Sequence, residues 1–209
     1  MKTIRMSDEQ MRKRISRYGR LKPLPIQNPS IPEKARDVVY SRKLLSVIGL
    51  EGAQTPINVG APIIGAAGMT MTLAVCPPGQ GPGLHSHRQT YETFTVMKGR
   101  FEVSWNDDGS GRAILELYDT VSFPPGVCRS FHNVGDEEGI LQVIITGGVH
   151  DMTDIDFAPK AKDDIERVRP GLAAEFEKVG FTFTAGRSRS EEHTLNSSHL
   201  VSSRMPSSA

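Results

Sequence analysis

Short segments in which apolar and polar residues alternate follow one another between Met69 and Gly148. Alternation with a period of two sends successive side chains to opposite faces of a strand. Turns rich in glycine, proline, asparagine and aspartate separate these segments. The predicted strands are MTMTLAVC (69–76), YETFTVMKG (91–99), RFEVSW (100–105), AILELYD (113–119), TVSFPPG (120–126), RSFHNV (129–134) and ILQVIITGG (140–148). About seven short strands with no long helix between them predict an all-β antiparallel sandwich or barrel.

The residues before these strands, 1–65, are predicted to form an N-terminal extension. Ser7 and Gln10 have the spacing of a capping box, so a short helix is expected over DEQMRKRISRY (8–18). The proline-rich stretch 21–32 predicts an extended linker. Residues 38–50, VVYSRKLLSVIGL, fit a strand or a helix equally well, because their periodicity does not separate the two.

The barrel is assigned to residues 66–148, and residues 149–186 are predicted to be a loop followed by a helix over PGLAAEFEKVG (170–180). The serine-rich end, 187–209, has neither helix nor strand periodicity and is expected to be a disordered, non-native tail. Residues 189–209 resemble a translated sequencing adapter in three blocks. His193 and His199 are therefore excluded from any metal site, and the natural C-terminus is expected to differ beyond about residue 188.

Composition narrows the classes of function. Lys+Arg 25 against Asp+Glu 24 leaves no net charge that calls for nucleic acid or a membrane, and the basic start is interpreted as a solvated helix face. Cys76 and Cys128 are too few for a disulfide scaffold and are expected to be reduced and buried. No apolar run has the length of a membrane span or the form of a signal peptide, so a soluble cytoplasmic protein is expected.

A constellation of metal-ligating residues begins just after the first predicted barrel strand. Gly79, His85, His87, Glu92 and Gly99 have the spacing G-x5-H-x-H-x4-E-x6-G. His85 and His87 are two residues apart and therefore face the same side of a strand. Glu92 alternates with outward residues and faces inward, and its odd step from His87 requires a bulge or an irregular turn. The pattern predicts three metal ligands, His85, His87 and Glu92.

This pattern resembles the first motif of the cupins, and DTVSFPPGVCRSFHN (119–133) resembles their second motif. The resemblance covers roughly residues 69–147 and implies a cupin double-stranded β-helix, a jelly-roll barrel, here with short helical N- and C-terminal extensions. It also implies a homodimer and a divalent transition metal, iron first, with manganese, nickel, copper or zinc as alternatives. Cupins hold their metal with three histidines and a glutamate, and His85, His87 and Glu92 correspond to three of these ligands.

Arg129 stands where the resemblance places the third histidine, which leaves three arrangements open. Arg129 pairs bidentately with Glu92 in a metal-free site. Alternatively the metal is held by His85, His87 and Glu92 alone, and Arg129 binds an anionic substrate group. In the third arrangement a register change lets His132 replace the missing ligand. If Arg129 points inward, alternation sends Phe131 and Asn133 inward and His132 outward.

Two main functions follow from these arrangements. One is a metal-dependent dioxygenase acting on a small acidic aromatic or oxo-acid substrate, with Arg129 as the catalytic residue that orients it. Its substrate pocket is predicted to be lined by Phe94, Phe131 and Asn133. The other is a non-catalytic module that binds a carboxylate ligand, so whether the protein is an enzyme stays open. A regulator that contacts nucleic acid through the basic N-terminal helix is a remoter hypothesis, because residues 1–22 contain no recognisable DNA-binding motif.

Three aspartates follow the last predicted barrel strand. Asp151, Asp154 and Asp156 are spaced suggestively for Ca²⁺ but lack the glycine and the terminal glutamate of an EF-hand loop. His150 is interpreted as a surface loop residue. None of these four residues is assigned a function from the sequence.

Overall fold

A computed structural model describes residues 4–24, 29–50, 59–66, 68–148 and 152–186. It consists mainly of β-strands, accompanied by four short α-helices. The helices are Asp8–Arg12 (α1), Glu33–Val39 (α2), Pro159–Val168 (α3) and Ala173–Glu177 (α4). The strands are Lys43–Leu50 (β1), Ile63–Ala66 (β2), Met69–Cys76 (β3), His85–His87 (β4), Tyr91–Lys98 (β5), Phe101–Trp105 (β6), Gly111–Leu115 (β7), Thr120–Phe123 (β8), Arg129–Asn133 (β9), Gly139–Thr146 (β10) and Ile155–Phe157 (β11). No described helix is long and apolar enough to cross a membrane.

The strands form two sheets. The six-stranded sheet has the order β2-β1-β3-β10-β5-β8, and the five-stranded sheet has the order β11-β4-β9-β6-β7. All pairs are antiparallel except β1 with β2. Apolar side chains from both sheets pack between them in one core that includes Phe94, Phe101, Phe131 and Leu141. The predicted all-β jelly-roll fold is confirmed.

The flanking segments contain more regular structure than the sequence predicted. The ambiguous stretch 38–50 contains the end of α2 and all of β1, and β1 pairs with β3 at the barrel. The expected helix over 8–18 ends at Arg12, although its capping box between Ser7 and Gln10 is present. No side chain of α1 is buried, so tertiary packing does not extend this short helix.

A second core lies outside the two sheets. It joins α2 of the N-terminal segment to α3, α4 and the aromatic residues of the C-terminal segment. Tyr40, Phe157, Phe176 and Phe181 form its aromatic centre, with ring centroids 5.5–6.4 Å apart. This core positions the C-terminal segment so that β11 pairs with β4, the strand that carries both candidate histidines.

Candidate metal centre

The three predicted ligands come from both sheets. His85 and His87 lie on β4 of the five-stranded sheet, and Glu92 lies on β5 of the six-stranded sheet. Residues 88–90 form the irregular turn that carries the chain from one sheet to the other. The step of five residues between His87 and Glu92 therefore places the carboxylate opposite the two imidazoles across the barrel interior.

The distances between the three side chains suit a single ion. Glu92 Oε2 lies 3.5 Å from His85 Nε2 and 3.7 Å from His87 Nε2. One candidate ligand atom of each residue lies within 4.8 Å of the others, and all three side chains are buried. Ligand atoms bonded to one transition metal at about 2.0–2.2 Å lie roughly 3–4 Å apart. The donor set of two imidazoles and one carboxylate is also that of non-haem iron sites. The residues fit a divalent transition metal.

Both imidazoles are held so that Nε2 faces Glu92. His85 Nδ1 lies 2.9 Å from the carbonyl oxygen of Gly83, which can only accept, so Nδ1 carries the hydrogen. His87 Nδ1 lies 2.8 Å from Thr90 Oγ1. Partners at Nδ1 fix the orientation of each ring, and they direct Nε2 towards the candidate metal position.

The protonation states of His87 and Glu92 also suit ligation. Burial lowers the pKa of His87, which keeps this imidazole neutral near pH 7. Burial alone would raise the pKa of Glu92, but the neighbouring His87 and Arg129 lower it below its usual range. A neutral imidazole and an ionised carboxylate are the forms that bind a metal.

Arg129 is buried in the five-stranded sheet beside the site, with 0% of its surface exposed. Its Nε donates to Glu92 Oε2 over 2.9 Å, and its Nη1 donates to the carbonyl of Val127 over 3.1 Å. The buried Nη2 has no hydrogen-bond partner in the described part of the chain. The contact with Glu92 therefore uses one nitrogen, where the sequence hypothesis of a metal-free site expected a bidentate pair. The second oxygen of Glu92 makes no hydrogen bond with Arg129.

His132 lies on the opposite face of β9 from Arg129. It pairs in register with Glu102 of β6 and borders two outer surface clefts. Burial lowers the pKa of His132, and Glu102 partly opposes this effect. The strand alternation that sends Arg129, Phe131 and Asn133 inward and His132 outward is as expected. No register change brings His132 to the metal position.

A cavity of about 90 Å³ is lined in part by the three candidate ligands. This volume is several times the ~10–15 Å³ that one water molecule needs, so the cavity accommodates a small molecule. Its lining residues are mostly apolar, and Tyr40, Ser41, Thr70 and Thr72 are the hydroxyl-bearing residues among them. Leu24, Val39, Met152, Ile155, Phe157 and Phe181 contribute to it from the flanking segments. No lysine or arginine is among the described residues that line the cavity.

The residues predicted to line the substrate pocket have different positions. Phe131 lines the cavity, whereas Phe94 packs behind it in the core, 4.9 Å away between ring centroids. Asn133 donates to the carbonyls of Cys76 and Glu137 and accepts from the backbone N–H of Gly135. Its amide is thus committed to backbone groups at the end of β9. Arg129 does not line the cavity and reaches the site through Glu92.

Three residues next to the site have no role predicted from the sequence. Thr90 and Asp154 form a hydrogen-bonded pair behind His87, and the ring of Phe157 lies 5.2 Å from that of His85. Asp154 was noticed only as part of a possible Ca²⁺ pattern, and neither its burial nor its approach to His87 has a signal in local spacing. His150, Asp151 and the tail 187–209 lie outside the described residues.

Comparison with known proteins gives one family match. A family model described as the cupin domain matches residues 72–145. A search of curated proteins found no match.

Three solved structures are similar over part of the chain. An oxalate oxidase structure is 24% identical, with a TM-score of 0.35, over 39% of this chain and 43% of that chain. A structure of DMSP lyases is 16% identical, with a TM-score of 0.40, over 50% of this chain and 47% of that chain. The cupin domain of Schizosaccharomyces pombe Cnp3 is 14% identical, with a TM-score of 0.38, over 50% of this chain and 64% of that chain. The chain spans less than two thirds of each of these proteins.

Proposed function

Since residues 72–145 form a cupin domain, we propose that this protein is a metal-dependent oxygenase acting on a small acidic substrate. His85, His87 and one oxygen of Glu92 hold a divalent transition metal, with iron as the first choice and manganese, nickel or zinc as alternatives. The observation that carries the proposal is the orientation of the two imidazoles. Both present Nε2 to the same oxygen of Glu92, and all three residues line one cavity.

The bound metal would supply a Lewis acid and, as iron, a redox centre for oxygen chemistry. The protein supplies the surroundings. The cavity wall is mostly apolar, and Tyr40, Thr70 and Thr72 are lining residues whose hydroxyls could bind a polar substrate atom. Burial raises the pKa of Tyr40, so its hydroxyl stays protonated at neutral pH.

The same surroundings favour oxygenation over isomerisation. An isomerase that moves protons needs a group whose pKa lies near the working pH. The imidazoles and the carboxylate among the described lining residues are those of His85, His87 and Glu92, and all three would be bound to the metal. Their donor set is that of non-haem iron oxygenases, so the site suits chemistry supplied by a metal better than proton transfer by a side chain.

The acidic character of the substrate rests on charge. Glu92 is balanced by Arg129, so an added divalent ion leaves the inner site with excess positive charge. With no lysine or arginine among the described lining residues, an ion held by His85, His87 and Glu92 would supply the positive charge for a carboxylate or enolate oxygen of the substrate. In this proposal Arg129 acts by stabilising the ligand Glu92, and it does not touch the substrate.

A second candidate function is supported by the same arginine. Arg129 Nε lies 2.9 Å from the carboxylate that a metal needs, and a fixed cation there disfavours a second one. The alternative is a metal-free cupin that binds a small carboxylate ligand without catalysis.

Metal content and oxygen uptake separate the two candidates. The full chain is produced in medium supplemented with iron and manganese, and its metal is quantified by plasma mass spectrometry beside His85→Ala and Arg129→His. Near-stoichiometric metal in the parent, lost in His85→Ala, supports the oxygenase, and oxygen uptake with small oxo-acids is then measured. An empty parent whose metal is restored by Arg129→His overturns the oxygenase in favour of the carboxylate-binding module.

The assembly and location predicted from the sequence remain part of the proposal. A homodimer is proposed, and light scattering coupled to gel filtration measures the mass directly. A cytoplasmic location is proposed and is tested by fractionating cells of the source.

A further inference from the structure

The C-terminal segment that follows the matched residues 72–145 reaches back to the candidate metal centre. β11 pairs with β4 so that Ile155 faces His87 and Phe157 faces His85 along the two strands. Backbone N–H of Arg88 donates to the carbonyl of Asp154 over 2.8 Å, which fixes the start of β11 against the turn after His87. The side chain of Asp154 is therefore held beside the site by a part of the chain outside the cupin match.

Asp154 is connected to His87 through one hydroxyl. Thr90 Oγ1 donates to Asp154 Oδ2 over 2.5 Å, and backbone N–H of Gln89 donates to Asp154 Oδ1 over 2.8 Å. A carboxylate only accepts, so the hydrogen of the Thr90 hydroxyl points at Asp154. Thr90 Oγ1 must then accept from His87, 2.8 Å away, and His87 Nδ1 carries the hydrogen. Nε2 is left with a free lone pair. Asp154 Oδ2 also lies 3.2 Å from His87 Nδ1, which reinforces this assignment.

We propose that Asp154, acting through Thr90, is a positioning residue that holds His87 in the tautomer and orientation required for metal binding. The inference rests on the proposed metal site and extends it to residues beyond the ligands. Asp154 is 3% exposed, and its charge faces His87, Thr90 and the backbone of the 88–90 turn. Partners of this kind behind a ligating histidine contribute to metal affinity because they fix the ring before the metal arrives.

The neighbouring Asp156 offers a matched control. It lies two residues further along, is also buried, and accepts hydrogen bonds from Thr182 Oγ1 and from the N–H and Oγ1 of Thr184. Its remaining partner is the guanidinium of Arg88. Asp156 thus holds the C-terminal segment together without touching a candidate ligand, so its loss measures the structural contribution alone.

The test compares Asp154→Asn, Thr90→Val and Asp156→Asn in the full chain. Calorimetric titration with Co²⁺ gives the Kd, and circular dichroism confirms that each variant is folded. We expect Asp154→Asn and Thr90→Val to bind Co²⁺ about 10–100-fold more weakly. Asp156→Asn should lower Tm while leaving the Kd within about threefold. Unchanged affinity in both Asp154→Asn and Thr90→Val, or an equal loss in Asp156→Asn, overturns the positioning role.

A metal-free readout separates this inference from the proposed function. Histidine ¹⁵N NMR of the apo protein should show His87 protonated at Nδ1 in the parent and a mixture of tautomers in Asp154→Asn. If the parent binds no Co²⁺, the metal site of the proposed function fails, and the NMR comparison alone decides whether Asp154 sets the tautomer. An unchanged His87 spectrum in Asp154→Asn contradicts the inference.

Discussion

Arg129 and Glu92 form a buried ion pair whose partners come from opposite sheets. Their separation of 2.9 Å gives a strong charge-assisted contact, but only one guanidinium nitrogen takes part. The unpartnered Nη2 shows that Arg129 is not fully satisfied by the described residues. The oxygen that accepts from Arg129, Glu92 Oε2, is also the one that faces both imidazoles, so the guanidinium offsets the charge of Glu92 at the atom nearest the candidate metal position.

Replacing Arg129 with methionine keeps most of the side-chain volume and leaves Glu92 buried without its cation. We expect the free energy of unfolding of the metal-free protein to fall by about 3 kcal/mol or more, measured by urea titration. Added Mn²⁺ should recover part of this loss, because the ion replaces the missing charge.

The matched control for this substitution is Arg112→Met. Arg112 is 64% exposed and pairs with Glu102 over 3.3 Å, so its loss should cost no more than about 1 kcal/mol. Equal losses in the two variants would show that burial of the Arg129–Glu92 pair does not matter.

Asp154 makes a contribution to stability that depends on pH. Burial alone would raise its pKa, but hydrogen bonds from His87, Thr90 and Gln89 lower the pKa to about 2 from an ordinary value of 3.8. The unfolded chain therefore takes up a proton at a higher pH than the folded protein does. Stability from Asp154 is complete above about pH 4 and is lost as the pH falls through 2.

Urea unfolding at pH 6, 4 and 2.5 tests this dependence. The stability difference between the parent and Asp154→Asn should shrink as the pH falls, because the parent progressively loses its ionised carboxylate. A difference that stays constant over this range would contradict the assigned shift.

At the scale of elements, the loop between β3 and β4 delivers the two histidines to the site. Gly79 N–H donates to the carbonyl of Asn133 over 2.7 Å, and Asn133 N–H donates to the carbonyl of Gln80 over 3.0 Å. These hydrogen bonds hold the loop against the end of β9. Gly81 is then so close to this strand that a Cβ there would lie 1.8 Å from the carbonyl oxygen of Phe131.

The close approach predicts different costs for two neighbouring glycines. Gly81→Ala should destabilise the fold by about 3 kcal/mol, because the obstructing atoms belong to the backbone of β9. A Cβ at Gly79 would have no atom within 4 Å, so Gly79→Ala should destabilise the fold only through its φ of +74°, by about 1 kcal/mol. Thermal and urea unfolding of the two variants compare them. A larger loss for Gly79→Ala would refute the packing of this loop.

At the scale of the whole molecule, two hydrophobic cores together position the site. The core between the sheets supports the strands that carry the candidate ligands, and the second core anchors the C-terminal segment that supplies Asp154 and Phe157. The second core also includes α2 from the N-terminal segment. Both flanks of the cupin domain therefore contribute residues to the lining of the cavity.

Phe176 tests whether the two cores unfold together. It is 1% exposed in the second core, so Phe176→Ala should cost about 3–5 kcal/mol. Trp105, the single tryptophan, lies in the five-stranded sheet and reports on the barrel by fluorescence. We expect the fluorescence and circular dichroism transitions to shift together.

The control for Phe176→Ala is Val179→Ala, which removes a side chain that is 55% exposed and should change stability by no more than about 0.5 kcal/mol. A fluorescence transition that stays in place while the circular dichroism transition moves would show that the flanks unfold separately.

Much of the barrel, and the residues that meet at the candidate metal site, could be predicted from the sequence. Alternation along residues 69–148 identified the strands and the inward faces of Glu92, Phe94 and Phe131, because a strand repeats every two residues. The helix α3 was missed, although Pro159 at its first turn and its amphipathic pattern were available signals. The segment 38–50 stayed ambiguous, since a short helix and a buried strand differ little in local pattern.

The sequence by itself determined which side chains share a face: His85 with His87, and Arg129 with Phe131 and Asn133. Only the tertiary structure decided which faces meet. It set Glu92 against His85 and His87, joined Arg129 to Glu92 by one nitrogen, and brought Asp154 to Thr90 across 64 positions of chain. Periodicity is a local property of the backbone and is readable residue by residue. Contacts between distant segments depend on how two cores pack at once, and no local spacing records that arrangement.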